Sequence, residues 1–218
     1  PVAFIPIDIS PEHLAESCRE LMQRFPHIEI LPVAADFTRP VPIPETKRES
    51  MRNLVYFPGS TIGNFEPDAA LQLLHVMHHE AGPGGALLIG TDLRKDPRII
   101  ESAYNDSQGV TAEFNLNMLR HLNRAFGSNF DLGGFSHKAV YDEQSGRIEM
   151  RLVSRHDQQV SLGEHLFTFG NGEKIVTEYC HKFSEEGFHQ LAWKAGFEHV
   201  NSWSDSNHWF SVRLFSRE

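Results

Sequence analysis

The stretch Asn53-Leu54-Val55-Tyr56-Phe57-Pro58-Gly59-Ser60-Thr61-Ile62-Gly63-Asn64 carries the reading of the fold. It begins as an apolar, aromatic strand, and Pro58-Gly59 breaks it. A helix is predicted from Pro67, with Leu73, Leu74 and Met77 on one side, and Gly82-Pro83-Gly84-Gly85 ends it. Ala86 to Gly90 is then a continuous apolar run closing on Asp92. A strand with no polar alternation is buried on both faces, as strands of a parallel sheet are.

The same alternation extends upstream. Ala3-Phe4-Ile5-Pro6-Ile7-Asp8 is a short apolar strand ending in an acid. Ser10 is expected to cap the next helix, with Pro11 in its first turn and Leu14, Cys18, Leu21, Met22 and Phe25 at helical spacing. Ile28 to Ala34 is a second strand, followed by Asp36, and Pro40 to Pro44 reads as an exposed loop. The fold class is therefore α/β, with a parallel sheet covered on both faces.

Downstream of Asp92 the pattern changes. Helices near Ile99 and from Thr111 to Phe126 precede alternating strands at Lys138 to Asp142 and Arg147 to Ser154, joined at Gln144-Ser145-Gly146. Val160 to Phe169 and Glu173 to Phe183 continue this hairpin-like, antiparallel pattern. A helix opening at Ser184 and strands at Glu198 to Trp203 and Trp209 to Phe215 resume the α/β pattern. The expected organisation is an α/β core of residues 1–103 and 184–218, with residues 104–183 as an inserted α+β subdomain.

Composition sets bounds on function. With 218 residues, 40% hydrophobic and 22% charged, the chain can build a full core. A net charge of −9 argues against a nucleic-acid partner. No apolar run reaches the roughly 18 residues of a spanning helix, so no membrane partner is expected. Two distant cysteines, Cys18 and Cys180, fit a reducing, cytoplasmic compartment.

Ligands of open α/β sheets bind beyond the carboxyl ends of the strands. Asp8, Asp36-Phe37, the run Pro58 to Asn64, and Asp92 all fall there. Asp8 can accept ribose hydroxyls, Asp36 can bond an exocyclic amine, and Phe37 can stack on a purine. Gly59 and Gly63 allow close approach of backbone to a ligand. Each also has an ordinary explanation, since acids at strand ends form turns or caps and Asn64 can cap a helix. His75, His78 and His79 lie at helical spacing but without a metal-ligand motif, so a solvated helix face is expected and no metal is assigned.

A family resemblance separates these readings. Pro58-Gly59-Ser60-Thr61-Ile62-Gly63-Asn64-Phe65, Gly90-Thr91-Asp92-Leu93-x-Lys95-Asp96, Ala103-Tyr104-Asn105-Asp106-x-x-Gly109-Val110-Thr111-Ala112-x-Phe114-Asn115-x-Asn117, Arg147-Ile148-Glu149-Met150 and Gly172-Glu173-x-Ile175-x-Thr177-Glu178 stand in the order in which similar runs occur in the histidine-specific methyltransferases of ergothioneine biosynthesis. The resemblance covers nearly the whole chain. It implies a Rossmann-like methyltransferase sheet, with S-adenosylmethionine as cofactor, held by Asp8, Asp36, Phe37, Gly59 and Ser60, and a small amino acid as substrate; a monomer is the working expectation. It also implies that Asn64 and Tyr104 grip the amino and carboxylate groups of that substrate and act in catalysis, that Glu178 bonds an imidazole, and that Met150 packs beside the ring.

Two departures qualify the expectation. Cys180 stands where the family usually has serine, and a thiol is the weaker hydrogen-bond partner. His181 is a further neighbour of that position. The glycine-rich loop and first strand of such folds are not seen upstream of Asp8, a unit of roughly 30 residues. The expectation is of an N-terminally incomplete chain with little or no activity when isolated; micromolar binding of S-adenosylhomocysteine by these 218 residues would contradict it.

Overall fold

The computed structural model describes residues 1–218. In chain order the elements are β1 (Ala3–Phe4), β2 (Ile7–Asp8), α1 (Pro11–Arg24), β3 (Glu29–Ile30), β4 (Val33–Ala34), β5 (Leu54–Phe57), a 3-10 turn (Thr61–Asn64), α2 (Pro67–Ala81) and β6 (Ala86–Asp92). They continue with α3 (Pro97–Tyr104), α4 (Val110–Phe126), a second 3-10 turn (Leu132–Gly134), β7 (Phe135–Asp142), β8 (Arg147–Ser154), β9 (Gln158–Leu162), β10 (His165–Phe169) and β11 (Lys174–His181). The chain closes with α5 (Glu185–Lys194), β12 (Glu198–Ser204) and β13 (Phe210–Ser216). Two compact units result: Pro1–Thr91 with Glu185–Glu218, and Asp92–Ser184. No helix is long and apolar enough to cross a membrane.

In the first unit, β1 runs parallel to β3 and β2 parallel to β4. The amides of Glu29, Leu31, Val33 and Ala35 donate in turn to the carbonyls of Val2, Phe4, Pro6 and Asp8, which makes one ladder of the two pairs. Pro32 is tolerated because its nitrogen faces away from this ladder, whereas Pro6 has no N–H to give the Leu31 carbonyl and so divides the ladder into two pairs. Helix α1 buries Leu14 and Cys18 against Ile30. Ser10 stands before α1 without a side-chain cap, contrary to expectation; its amide donates instead to Asp8.

The second sheet of this unit has the order β12-β13-β6-β5. Strands β5 and β6 are parallel, with Leu54 opposite Ala86, whereas β12 and β13 are antiparallel. Leu87 and Ile89 of β6 are fully enclosed, as their unbroken apolar run requires, and α2 buries Leu73, Leu74 and Met77. Parallel α/β pairing and helical cover are those of the Rossmann-like class.

The second unit is built on an antiparallel sheet of order β11-β8-β7. Helix α4 sets Leu119 into a cluster with Phe130, Phe135, Leu152 and Val160. Helix α3 sets Ile100 against Ala139, Ile148 and Cys180, so it packs with this unit although the sequence reading counted most of it with the α/β core. Val160 to Phe169, expected as further antiparallel material, lies in the hairpin β9–β10, turning beside Gly163 at φ 58°. Only a residue without Cβ takes that left-handed conformation cheaply.

Candidate functional site

In the first unit, the residues at strand ends hold structural hydrogen bonds. Asp8 ends β2 half-buried, with its Oδ1 accepting the Ser10 amide at 2.8 Å. Asp36 Oδ1 accepts the Thr38 hydroxyl at 2.6 Å and the Thr38 amide at 3.0 Å. Those bonds hold the Asp36 carboxyl below the usual carboxylate range. Both acids thus form turns, yet a carboxylate has about four acceptor positions, so turn formation leaves capacity for a ligand.

Phe37 meets Phe57 edge-on at 5.7 Å and Phe65 at 6.5 Å, which brings the loop after β4 beside the run after β5. That run turns through Ser60, a buried non-glycine residue at φ 56°. The left-handed region costs such a residue roughly 1–2 kcal/mol, and strain of this kind concentrates at functional turns. The Gly63 amide donates to the Ser60 carbonyl, and the turn delivers Asn64 to the surface. Gly59 is exposed, and a Cβ there would meet only the Thr61 hydroxyl, at 3.7 Å. Of the helical histidines, His78 packs edge-on against Phe197 at 5.2 Å, while His75 and His79 are exposed. Burial, with Arg217 nearby, lowers the His78 pKa.

The second unit assembles its candidates through a β-bulge. Ile175 faces Leu152 and Glu178 faces Met150, with a register shift between Val176 and Glu178 that leaves Thr177 as the extra residue. Strict alternation from Ile175 would have turned Tyr179 and His181 toward the helices. The bulge turns Glu178 and Cys180 there instead. Met150 is buried between Ala139 and Glu178 on the same face, and Tyr104, at the end of α3, packs onto Cys180, Ala139 and Ile148. Tyr104, Met150, Glu178 and Cys180 therefore share one face. His181 does not; its ring lies against Tyr179, 6.1 Å away, on the other.

Tyr104 is held from behind. His137 Nε2 donates to the Tyr104 carbonyl at 2.8 Å, so its Nδ1 accepts from Asn115 at 2.9 Å. Asn105 clamps β7 through both backbone groups of Ala139. In front, Lys182 Nζ donates to Tyr104 Oη at 2.9 Å, to Asp92 Oδ2 at 2.8 Å and to Cys180 Sγ at 3.4 Å. Asp92 also pairs with Lys95. Burial raises the Tyr104 pKa, the Cys180 thiol adds to that, and Lys182 opposes it. Burial works against the Lys182 charge, but Cys180, Tyr104 and Asp92 outweigh it and hold the ammonium above its ordinary pKa.

Lys182 was missed in the sequence, where a lysine between His181 and Phe183 looks like surface. Gly90 stood in the sequence only as the end of an apolar run and the start of a motif. A Cβ there would run into the Pro58 carbonyl, so glycine is what lets β6 lie against the turn.

A family model described as the S-adenosylmethionine-dependent, histidine-specific methyltransferases matches residues 1–217. The chain is 36% identical to a histidine N-alpha-methyltransferase of Mycolicibacterium smegmatis, over 98% of this chain and 66% of that protein. It is 34% identical, with the same coverage, to a histidine N-alpha-methyltransferase of Mycobacterium tuberculosis. The chain thus spans about two thirds of the length of these relatives. A crystal structure of an S-adenosylmethionine-dependent methyltransferase from Clostridium acetobutylicum superposes with a TM-score of 0.51 at 11% identity, over 98% of this chain and 74% of that one. This last likeness concerns the fold.

Proposed function

We infer, because the chain belongs to the histidine-specific, S-adenosylmethionine-dependent methyltransferase family, that the protein methylates the α-amino group of histidine. The observation that carries this reading is the bulge-defined face on which Tyr104, Met150, Glu178 and Cys180 meet. It offers a hydroxyl, an apolar wall and a carboxylate, which are the groups needed for a carboxylate-bearing amino acid with a basic, flat ring. The pathway implied is ergothioneine biosynthesis, and the two free cysteines agree with a cytoplasmic setting.

Asp8, Asp36, Phe37, Gly59 and Ser60 are assigned to the cofactor. The residues fit such a group: two acids with spare acceptor capacity, an aromatic edge beside them and a strained turn. S-adenosylmethionine supplies the methyl group as an electrophilic sulfonium. The chain's own residues need only bind, orient and exclude water, since the transfer is an in-line displacement. Asn64 and Tyr104 orient the substrate amine and carboxylate, and Glu178 accepts a hydrogen bond from the imidazole. The amine attacks through a neutral lone pair, and its proton passes to solvent.

The test is incubation of the natural full-length protein with histidine and S-adenosylmethionine, followed by mass spectrometry for methylated histidine. Failure to form it overturns the reading. Glu178→Ala should weaken histidine binding more than phenylalanine binding; equal losses would refute the imidazole role. Cys180, in place of the usual serine, supports one other reading, an amino acid with a different ring. A phenylalanine turnover exceeding that of histidine would favour it.

A further inference from the structure

We propose that Lys182 is a positioning residue, which fixes the Tyr104 hydroxyl as a hydrogen-bond donor to the carboxylate of the amino-acid substrate. The proposal rests on the methyltransferase reading and adds to it a division of labour among buried groups.

An ammonium has three N–H bonds and no acceptor. All three of Lys182 are engaged, by Tyr104 Oη, Asp92 Oδ2 and Cys180 Sγ, and the side chain is 1% exposed. No donor remains for a substrate, so Lys182 acts through its neighbours. The ammonium also lies 4.8 Å from the centre of the Tyr104 ring, which limits the ring to one placement.

The hydroxyl consequence follows from counting. Because Tyr104 Oη accepts from Lys182, its own proton points elsewhere. The group beside it is the Cys180 sulfur, a weak acceptor that an incoming carboxylate outcompetes. An oxygen already bonded by a fixed cation is a poor base. The raised pKa of Tyr104 agrees, since the hydroxyl then keeps its proton at neutral pH. Tyr104 is thereby a carboxylate donor, not the acceptor of the amine proton. The other charged or titratable groups facing Lys182 are Lys95 through Asp92, Arg94, whose Nε donates to the Lys182 carbonyl at 3.2 Å, and Tyr141.

The experiment uses the full-length protein and steady-state methylation of histidine. Lys182→Met should raise the histidine KM by about 10- to 100-fold, the worth of one charge-assisted hydrogen bond, with a smaller change in kcat. The double variant Lys182→Met/Tyr104→Phe should be no worse than Tyr104→Phe alone. Inhibition by histamine, which has no carboxylate, should be unaltered by Lys182→Met. Additive losses, an unchanged KM, or equal weakening of histamine would overturn the proposal. So would a tyrosine ionisation in the wild-type pH profile of kcat/KM that Tyr104→Phe removes. If Lys182→Met fails to fold because Asp92 loses one of its two cations, Asp92→Asn/Lys182→Met relieves that charge and is read by the same criteria. A wild-type protein that does not methylate histidine fails at the earlier reading, before any variant is compared.

Discussion

The Thr177 hydroxyl donates to the Asn115 side-chain oxygen at 2.6 Å, and through it α4 seats the bulge that turns Glu178 inward. The same Asn115 donates to His137 Nδ1, whose other nitrogen holds the Tyr104 carbonyl. One buried amide therefore sets the position of two residues assigned to the substrate. Removing it leaves the His137 ring nitrogen without this donor and the Thr177 hydroxyl with only the Met150 carbonyl, 3.1 Å away.

Asn115→Ala should accordingly destabilise the protein by about 1–3 kcal/mol, the cost of lost hydrogen bonds and one ring nitrogen left unsatisfied. Its histidine KM should rise while S-adenosylhomocysteine affinity stays near the wild-type value. Thermal denaturation and calorimetric titration check the two halves separately. A variant that loses cofactor affinity as much as histidine affinity would contradict the local role.

Much of this arrangement was legible in the sequence, and the parts that were not have physical causes. The β5-turn-α2-β6 unit could be read because Leu73, Leu74 and Met77 keep helical spacing and Ala86 to Gly90 has no polar alternation. The ladder of Pro6 and Pro32 could be read only as apolar runs, since the use of each N–H depends on the neighbouring strand. The sharing of a face by Glu178 and Cys180 depends on the bulge, and strict alternation from Ile175 gives the opposite answer. Lys182 was hidden because its partner Tyr104 is 78 residues away, and no local pattern marks a buried ammonium.

Gly90 and Pro58 give the next expectation. Their backbones are so close that a methyl group on residue 90 overlaps the Pro58 carbonyl, and the Phe210 ring, 2.8 Å from that position, closes the other exit. Gly90→Ala should cost about 1–3 kcal/mol by overpacking and displace the turn through Ser60. S-adenosylhomocysteine binding should fall with it. Retention of full affinity in a folded Gly90→Ala protein would show that the turn is not needed for the cofactor.

Cys180→Ser exchanges a weak partner for a strong one on the inward face. The hydroxyl can accept from Lys182 as the sulfur does and still donate toward a ring nitrogen. Histidine KM should drop by about two- to tenfold, the worth of one neutral hydrogen bond, with little change in kcat. Turnover of phenylalanine should not improve. Steady-state kinetics with both amino acids decide it, and an equal gain for both would mean the change acts on packing.

The acid limit of stability should be set partly by His189. Its ring lies 4.1 Å from that of His199 and beside Phe215, and burial, then the charges of His199 and Arg213, lower its pKa in the folded protein, against a partial opposing effect from Glu185 and Glu186. An unfolded histidine titrates near pH 6.5. Between the lowered folded pKa and that value, the unfolded chain binds the proton and the folded one does not, so stability rises with pH across the interval. The contribution is complete above about pH 7 and is lost as pH falls below about 6.5. His78 shifts in the same direction and adds to the effect. His189→Leu, which cannot take up a proton in either state, should therefore lose less stability than wild type between pH 7.5 and pH 5.5 (roughly one unit either side of the reference value). Urea denaturation at the two pH values measures the difference. Equal losses in the variant and the wild type would place the acid sensitivity on other groups.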